Sequence, residues 1–208
     1  MWLDIEQNTD EWLDMRAGKV TGSAISKVMA NFGKAFGGPA KKLAVNLAVE
    51  RITGKRVEGN NFTNAHMKRG HKEEPIARQR YEEMFFVEVT NGGFYDNGKT
   101  GCSPDGRAIR NGLIEVKSVI PTTHYATIKR GCYDPSYKWQ YIFNIKESGA
   151  DWLDFISFCS SFPEHKKLYV YRIQKESVLK ELDQIETRLI EFELLIDHIV
   201  CEIGWQKQ

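Results

Sequence analysis

Several features that define other protein classes are missing from this 208-residue sequence. No apolar run approaches the roughly 20 residues that an α-helix needs to cross a bilayer. The first residues, Met1–Glu6, lack the basic and apolar regions of a secretory signal, so we expect a cytoplasmic protein with no membrane partner. The four cysteines form no C-x-x-C pair. This spacing argues against a zinc knuckle or an iron–sulfur cluster and favours free thiols.

Charge of one sign is not in excess overall, but its distribution is uneven. The formal net charge is +1, and 41% of the residues are hydrophobic, as in ordinary globular proteins. Residues 174–208 carry four Lys/Arg against eight Asp/Glu, so the preceding part of the chain is basic. A basic body with an acidic end fits a protein whose body contacts a polyanion.

The periodicity of the apolar residues predicts a mixed α/β or α+β domain that spans residues 1–208. Helices are expected at 21–30, 39–54, 63–85 and 137–145. Pro75 is expected to kink or restart the third of these helices. Strands are expected at Phe86–Thr90, Gly93–Asp96, Leu113–Val119, Trp152–Cys159 and Leu168–Ile173. A long amphipathic helix at about 177–203 closes the domain, whose core is a central sheet of about five strands flanked by helices.

The most informative segment for chemistry is a Pro-Asp-Gly turn followed by a charged strand. Asp105 lies in the turn, and Glu115-Val116-Lys117 follow it ten residues later. In a strand, Glu115 and Lys117 point to one face while Ile114 and Val116 point to the other, into a core. A tight hairpin would carry Asp105 beside this strand. Two charged residues on one face of an apolar strand are costly unless that face lines a site.

Two interpretations of this pattern stay open from the residues alone. A surface hairpin with a Glu–Lys ion pair explains the turn and the strand separately. A metal site explains them together, because two neighbouring carboxylates repel each other and a divalent cation turns that repulsion into binding. Hard oxygen ligands select Mg²⁺ or Mn²⁺, which polarise a phosphate and activate water. The ten-residue spacing between Asp105 and Glu115 favours the metal site over the surface hairpin.

Asp105 with Glu115-Val116-Lys117 resembles the signature of the PD-(D/E)xK nuclease superfamily. Within it, the chain is similar to the phage-lambda-type alkaline exonuclease family, the viral recombinase exonucleases. This narrower resemblance rests on three further segments in the family's order: Trp12–Arg16 with Val20–Ser23, Gly70–Arg78, and Tyr137–Gln140. It implies a restriction-endonuclease-like α/β fold with a mixed central sheet.

The resemblance implies a metal centre for two Mg²⁺ ions, with Mn²⁺ as a substitute. The first ion would be held by Asp105, Glu115 and the backbone carbonyl of Val116. Glu74 would complete the site for the second ion and is preferred over Glu73, because Glu74 stands four residues before Arg78 as the family's acid does. Lys117 would orient the attacking water, which makes it the fourth catalytic residue beside the three acids.

The resemblance also implies a site for a terminal 5′-phosphate. Arg16, Ser23 and Gln140 would hold the phosphate, with Thr21 nearby as a weaker candidate. Arginine grips phosphate with two hydrogen bonds, and a serine at a helix start lies where backbone N–H groups favour an anion. From the residues alone, a surface salt bridge for Arg16, a helix cap for Ser23 and a partly buried polar position for Gln140 remain the alternatives.

The function that the resemblance implies is a Mg²⁺-dependent 5′-to-3′ exonuclease on linear double-stranded DNA. Such an enzyme leaves 3′ single-stranded overhangs for recombination by strand annealing. The family also implies a ring-shaped homotrimer and a single-strand annealing protein as a partner. The alternatives are an endonuclease or repair nuclease of the same superfamily, or a DNA-binding module without catalysis.

Two further groups of residues are candidates for contact with DNA. His71 and His124 are interpreted as polar positions near the duplex rather than as metal ligands. A basic cluster lies on the second helix and its end: Lys41, Lys42, Arg51, Lys55 and Arg56. It is interpreted either as a solvated helix face or as a contact with the phosphate backbone, which would be sensitive to salt.

Overall fold

The computed structural model describes residues 1–57 and 65–204, with side chains described from residue 69 onward in the second range. The first half of the chain is mostly helical, with three short strands. In chain order its elements are β1 (Trp2–Leu3), α1 (Asp10–Met15), β2 (Val20–Thr21), α2 (Ile25–Met29), α3 (Gly38–Thr53), α4 (Ala65–Phe85) and β3 (Phe94–Asp96).

The second half contains the longer strands and the closing helix. Its elements are β4 (Thr100–Cys102), β5 (Gly106–Ala108), β6 (Gly112–Ser118), α5 (Pro121–Arg130), α6 (Lys138–Ser148), β7 (Trp152–Phe158), β8 (Leu168–Gln174) and α7 (Leu179–Gly204). The long helix predicted at about 177–203 is therefore α7, which spans Leu179–Gly204. A short 3₁₀ turn at Lys175–Val178 precedes it.

The strands form two mixed sheets of four strands each. The first has the order β1-β3-β4-β2, in which only β2 and β4 are parallel. The second has the order β5-β6-β7-β8, in which β6 and β7 are parallel and the outer pairs are antiparallel. Strand β6 is therefore hydrogen-bonded along both of its edges.

The second sheet separates two clusters of buried apolar residues. One cluster joins β6 and β7 to α2, α3, α6 and α7 through residues such as Leu113, Phe155 and Phe192. The smaller cluster joins the opposite face to α4 and includes Ile114, Val116 and Tyr81. Leu113 belongs to the first cluster and Ile114 to the second, so successive side chains of β6 point to opposite faces. This confirms the predicted period of two in β6.

The predicted α/β class with a mixed sheet and flanking helices is confirmed, but the strand count differs. The prediction had one sheet of about five strands. The missed strands β1, β2, β4 and β5 have two or three residues each, too few for a hydrophobic alternation to show. Helix α5, which Pro121 opens, was also not predicted.

The strand predicted at Phe86–Thr90 is wrong. Helix α4 ends at Phe85, and Phe86 has a φ of 52°, a left-handed conformation that interrupts an extended chain. The nitrogen of Val89 then donates to the Glu82 carboxylate, so a side chain takes the place of a neighbouring strand. Only Thr90 forms an isolated bridge, to Arg107. Helix α4 also continues through Pro75 without restarting.

Within the two described ranges, no helix combines the length and apolarity required to cross a membrane.

Candidate functional site

Strand β6 carries the Glu115 and Lys117 side chains on one face of the sheet. Glu115 is 1% exposed, and the Lys117 Nζ atom lies 2.8 Å from Glu115 Oε1. The neighbouring residues Ile114 and Val116 belong to the apolar cluster on the opposite face. The predicted sharing of a face is confirmed, and the Glu–Lys pair lies inside the protein rather than on a surface hairpin.

The β5–β6 hairpin brings Asp105 beside this strand. Gly106 pairs with Ile114, so Asp105 lies one position beyond the last paired residue. Its Oδ2 atom accepts a hydrogen bond from the Val116 nitrogen at 2.6 Å. A side-chain carboxylate thus continues the ladder where β5 has ended, and the predicted approach of Asp105 to the strand is confirmed.

Glu115 accepts hydrogen bonds from three side chains. Lys117 and the amide of Gln140 donate to Oε1, and the amide of Asn144 donates to Oε2 at 3.0 Å. Gln140 and Asn144 stand four residues apart on α6 and so project from one face of this helix. A buried carboxylate requires such donors, because burial without hydrogen bonds is costly.

Glu74 approaches the same group from α4. Burial, together with the negative charges of Asp105 and Glu115, raises the pKa of Glu74 to about 8. Burial and then the Asp105 charge raise the pKa of Glu115 to about 7. Burial also raises the pKa of Asp105. The three acids therefore repel one another within one buried site.

Lys117 responds to these charges in the opposite direction. Burial lowers its pKa, but the Glu115 and Asp105 charges outweigh burial and raise the pKa above the ordinary value of lysine. Lys117 Nζ also lies 5.0 Å from the ring centre of Tyr137, within the range of a cation–π contact. Lys117 is therefore held as an ammonium ion.

The donor chemistry of this site suits a hard divalent cation. Asp105, Glu115 and Glu74 offer only oxygen atoms, and their mutual repulsion is what such an ion relieves. Among the side chains that the structure describes, in residues 1–57 and 69–204, no three His, Cys, Asp or Glu come together as a ready metal cluster. The predicted set for the first ion contains two carboxylates and a backbone carbonyl, so it does not require such a cluster.

A cavity of about 250 Å³ opens beside the acids. Glu74 and Asp105 line it, together with His71, Arg78 and Asn91. His71 is exposed at this cavity and its charge lowers the pKa of Asp105, so it lies next to the site. His124 does not lie next to the site. It is 0% exposed, and its ring nitrogens bond to Ser157 and to the Lys166 carbonyl. The expectation that it contacts DNA is therefore wrong.

Arg16, Thr21 and Ser23 form a second polar group. The Arg16 Nη2 atom lies 3.3 Å from Thr21 Oγ1 and 3.2 Å from Ser23 Oγ. The guanidinium stacks on the ring of Trp12 at 4.0 Å, and the indole nitrogen of Trp12 donates to Ser103. Burial lowers the Arg16 pKa to about 10, which still leaves the side chain positive at neutral pH. Ser23 does not cap a helix, because α2 begins after Ala24.

Gly22 joins this group to helix α6. A Cβ atom at Gly22 would lie 2.7 Å from Asn144 Oδ1 and 3.6 Å from Gln140 Cγ. The turn that carries Thr21 and Ser23 therefore packs directly on α6. Gln140, predicted to hold the phosphate, donates its amide to Glu115 and lies between the two groups.

Three functional features escaped the sequence-based prediction. Asn144 could have been found from its four-residue spacing after Gln140 on a predicted helix. The Trp12–Ser103 bond joins residues 91 positions apart, and the sequence carries no signal for it. Glu73 accepts hydrogen bonds from Ser118 and Ser160, both at 2.6 Å, so it holds α4 against the sheet.

The predicted basic cluster is partly neutralised. Arg51 forms two hydrogen bonds with Glu193 on α7, and Arg56 pairs with Asp10. Lys41 and Lys42 lie exposed on α3, with Lys55 exposed just beyond its end. Arg51 therefore anchors the acidic closing helix to the body, while the three lysines stay accessible to solvent.

Comparisons with known proteins agree with this architecture. The family model of the YqaJ-like viral recombinase domain matches residues 11–151. The crystal structure of an alkaline exonuclease (LHK-Exo) from Laribacter hongkongensis is 31% identical, with a TM-score of 0.77 over 94% of this chain and 98% of that chain. The structure of LHK-Exo in complex with dAMP has the same identity and coverage, with a TM-score of 0.78.

A phage-related exonuclease from Haemophilus somnus 129PT shares the fold at 16% identity, with a TM-score of 0.64 over 89% of this chain and 96% of that chain. No curated protein gives a significant match. The family match covers more than half of the chain, and the Laribacter protein is 31% identical over nearly all of it. The chain therefore belongs to the family of YqaJ-like viral recombinase domains and has the fold of the alkaline exonucleases.

Proposed function

We propose that this protein is a nuclease on DNA, and more specifically a Mg²⁺-dependent 5′-to-3′ exonuclease that degrades linear duplexes and leaves 3′ overhangs. One observation carries the proposal. The turn that carries Thr21 and Ser23 packs at Gly22 on Gln140 and Asn144, and the amides of these two residues donate to the buried Glu115 beside Lys117. A hydrolytic centre thus adjoins a cationic group suited to a terminal phosphate.

The chemistry follows from the charges in the site. Asp105, Glu115 and the Val116 carbonyl would hold Mg²⁺, and Glu74 would hold a second ion. Bound Mg²⁺ supplies polarisation of the scissile phosphate and a water of lowered pKa. Lys117 would orient that water with an N–H donor and offset charge on the phosphate, since its raised pKa prevents it from accepting a proton at neutral pH. Together these residues would form the active site of a PD-(D/E)xK nuclease.

The direction of degradation is assigned to the Arg16 group. A 5′-phosphate held by Arg16, Thr21 and Ser23 would place the first phosphodiester of that strand toward the acids. Gln140 would contact the phosphate from the side of Glu115. The relatives support an exonuclease: the Laribacter protein is an alkaline exonuclease seen with dAMP, a mononucleotide of the kind that exonucleases release.

The proposal extends to the assembly and its setting. We propose a homotrimeric ring around the DNA, a single-strand annealing protein that receives the 3′ overhang, and a cytoplasmic location. These follow from the family resemblance. Light scattering on the purified protein tests the ring directly: a mass of three chains supports it, and a monomer at all concentrations contradicts it.

The activity is tested with one linear duplex labelled separately at the 5′ and 3′ ends of each strand, alongside a closed circle, in Mg²⁺ and in EDTA. The expected result is metal-dependent loss from 5′ ends with the circle intact. The Lys117→Ala variant serves as the inactive control. Cleavage of the circle would instead identify an endonuclease, and binding without any cleavage would identify a DNA-binding module.

A further inference from the structure

Asn144 is buried beside the proposed active site and has no role in the proposed reaction. It lies one helical turn after Gln140 on α6 and is 1% exposed. Its Nδ2 atom donates to Glu115 Oε2 at 3.0 Å, while Gln140 and Lys117 donate to Oε1. Asn144 is therefore the side chain that fixes the second oxygen of this carboxylate.

The other end of the same amide faces the phosphate-binding turn. Asn144 Oδ1 is buried and has no hydrogen-bond partner within the part of the chain that the structure describes. A Cβ atom at Gly22 would lie 2.7 Å from this oxygen, closer than real Cβ atoms approach. The next nearest side chain, Gln140, would be 3.6 Å away, an ordinary contact. Of these two side chains, only Asn144 would clash with a Cβ atom at Gly22.

We infer that Asn144 is a positioning residue that orients the Glu115 carboxylate for a divalent cation and spaces it from the turn Thr21–Ser23. The inference rests on the proposed function and deepens it. A carboxylate can rotate about its last side-chain bond, and donors on both of its oxygens restrict that rotation. Groups that orient metal ligands in this way typically change metal affinity 10- to 100-fold when they are removed.

The test is a double-mutant cycle with Asn144→Ala and Gly22→Ala. Mn²⁺ affinity is measured by titration calorimetry, and kcat and KM are measured on a 5′-phosphorylated duplex. We expect each single variant to weaken Mn²⁺ binding about 10- to 100-fold and to lower kcat with little change in KM. In the Asn144→Ala background, Gly22→Ala should add less than threefold, because the atom that its Cβ displaces is gone.

Ile142→Val is the matched control, since Ile142 is buried on the same helix but stands two positions from both Gln140 and Asn144 and so projects from another side of the helix. It should lower the unfolding temperature without changing Mn²⁺ affinity. If Asn144→Ala does not fold, Gly22→Ala alone tests the contact, because it retains every hydrogen-bonding group.

Mn²⁺ affinity and kcat within twofold of wild type in either single variant would overturn the inference. Equal effects of Gly22→Ala in both backgrounds would overturn the role of the contact with Gly22. A wild-type protein that binds Mn²⁺ but degrades no DNA would refute the proposed exonuclease while leaving the positioning role to be decided by the Mn²⁺ affinities. A wild-type protein that binds no Mn²⁺ would refute both.

Discussion

The carboxylate of Asp105 accepts a hydrogen bond from the backbone nitrogen of Val116, with 2.6 Å between the two atoms. A side chain thereby takes the role of a neighbouring strand where β6 continues past the end of β5. The bond holds Asp105 beside Glu115, although ten residues separate them in sequence. It also joins the acid to the residue whose carbonyl is the third proposed ligand.

We predict that Asp105→Ala abolishes Mg²⁺ binding at this site, because it removes one of the two carboxylates proposed for the first ion. Calorimetric titration with Mg²⁺ measures the loss. Asp183→Ala, which removes an exposed acid from α7, is the control and should bind like the wild type. Unchanged binding in Asp105→Ala would refute the ligand assignment.

Lys117→Ala should lower kcat by at least the roughly 10²–10³-fold expected when one charge-stabilising group is lost. The expected fall in kcat is caused by the loss of the fixed ammonium group. DNA affinity should change little. Steady-state kinetics on a labelled duplex, with a thermal unfolding curve alongside, separate the two effects. A collapsed unfolding temperature with proportionate loss of activity would assign Lys117 a structural role instead.

Arg16→Ala should reduce the preference for duplexes that carry a 5′-phosphate over those that end in a hydroxyl. The variant retains Trp12, Thr21 and Ser23 but loses the only cation of that group. The ratio of the two degradation rates is the measurement, and Arg130→Ala, at the exposed end of α5, is the control. A ratio equal to that of the wild type would show that Arg16 does not read the phosphate.

Tyr81→Phe should destabilise the fold by about 1.5–3 kcal/mol, the usual contribution of a hydrogen bond to a charged group. The Tyr81 hydroxyl donates to the buried Asp154 at 2.7 Å, and Arg172 holds both oxygens of the same carboxylate. Denaturant unfolding gives the change in free energy. Tyr125→Phe, on an exposed tyrosine of α5, should fall within about 0.5 kcal/mol of wild type.

Acid should destabilise the protein through His124. Burial lowers the pKa of His124 below 6.5, so the unfolded chain binds more protons than the folded one between the two values. The free energy of unfolding therefore falls as the pH drops through 6.5 toward the lowered pKa, and this contribution is fully present above 6.5. Unfolding temperatures from pH 7.5 to 5.5 measure the loss.

His124→Gln should show a shallower pH dependence than wild type over the same range. His198→Gln, on the exposed face of α7, is the matched control and should follow the wild-type curve. Parallel curves for wild type and His124→Gln would mean that protonation of His124 does not contribute to acid unfolding.

The sequence was sufficient where a local pattern determines the structure. The Pro39–Gly54 helix follows from its terminal residues, and the shared face of Glu115 and Lys117 follows from the two-residue period of a strand. Asp105 could be placed beside them because a short hairpin leaves few alternatives. The burial of this group could not be derived, since it depends on α4 and α6 closing over the sheet.

Long-range contacts between polar side chains were beyond the sequence. Gln140 was expected at the phosphate. The hydrogen bond from its side-chain amide to Glu115 depends on how α6 lies across β6. Asn144 has no motif of its own. Phe86–Thr90 had the composition of a strand, but the Glu82 carboxylate competes for its backbone donor. Such competition is decided by tertiary structure rather than by propensity.

The place of strand β6 within its sheet has a consequence for the lifetime of the site. Strand β7 pairs along one edge of β6, while β5 and the Asp105 carboxylate cover part of the other edge. The covered amides should therefore be among the slowest in the protein to exchange with solvent. Glu115 lies on this strand, so a partly opened chain that retains the sheet should keep this carboxylate in place beside Lys117.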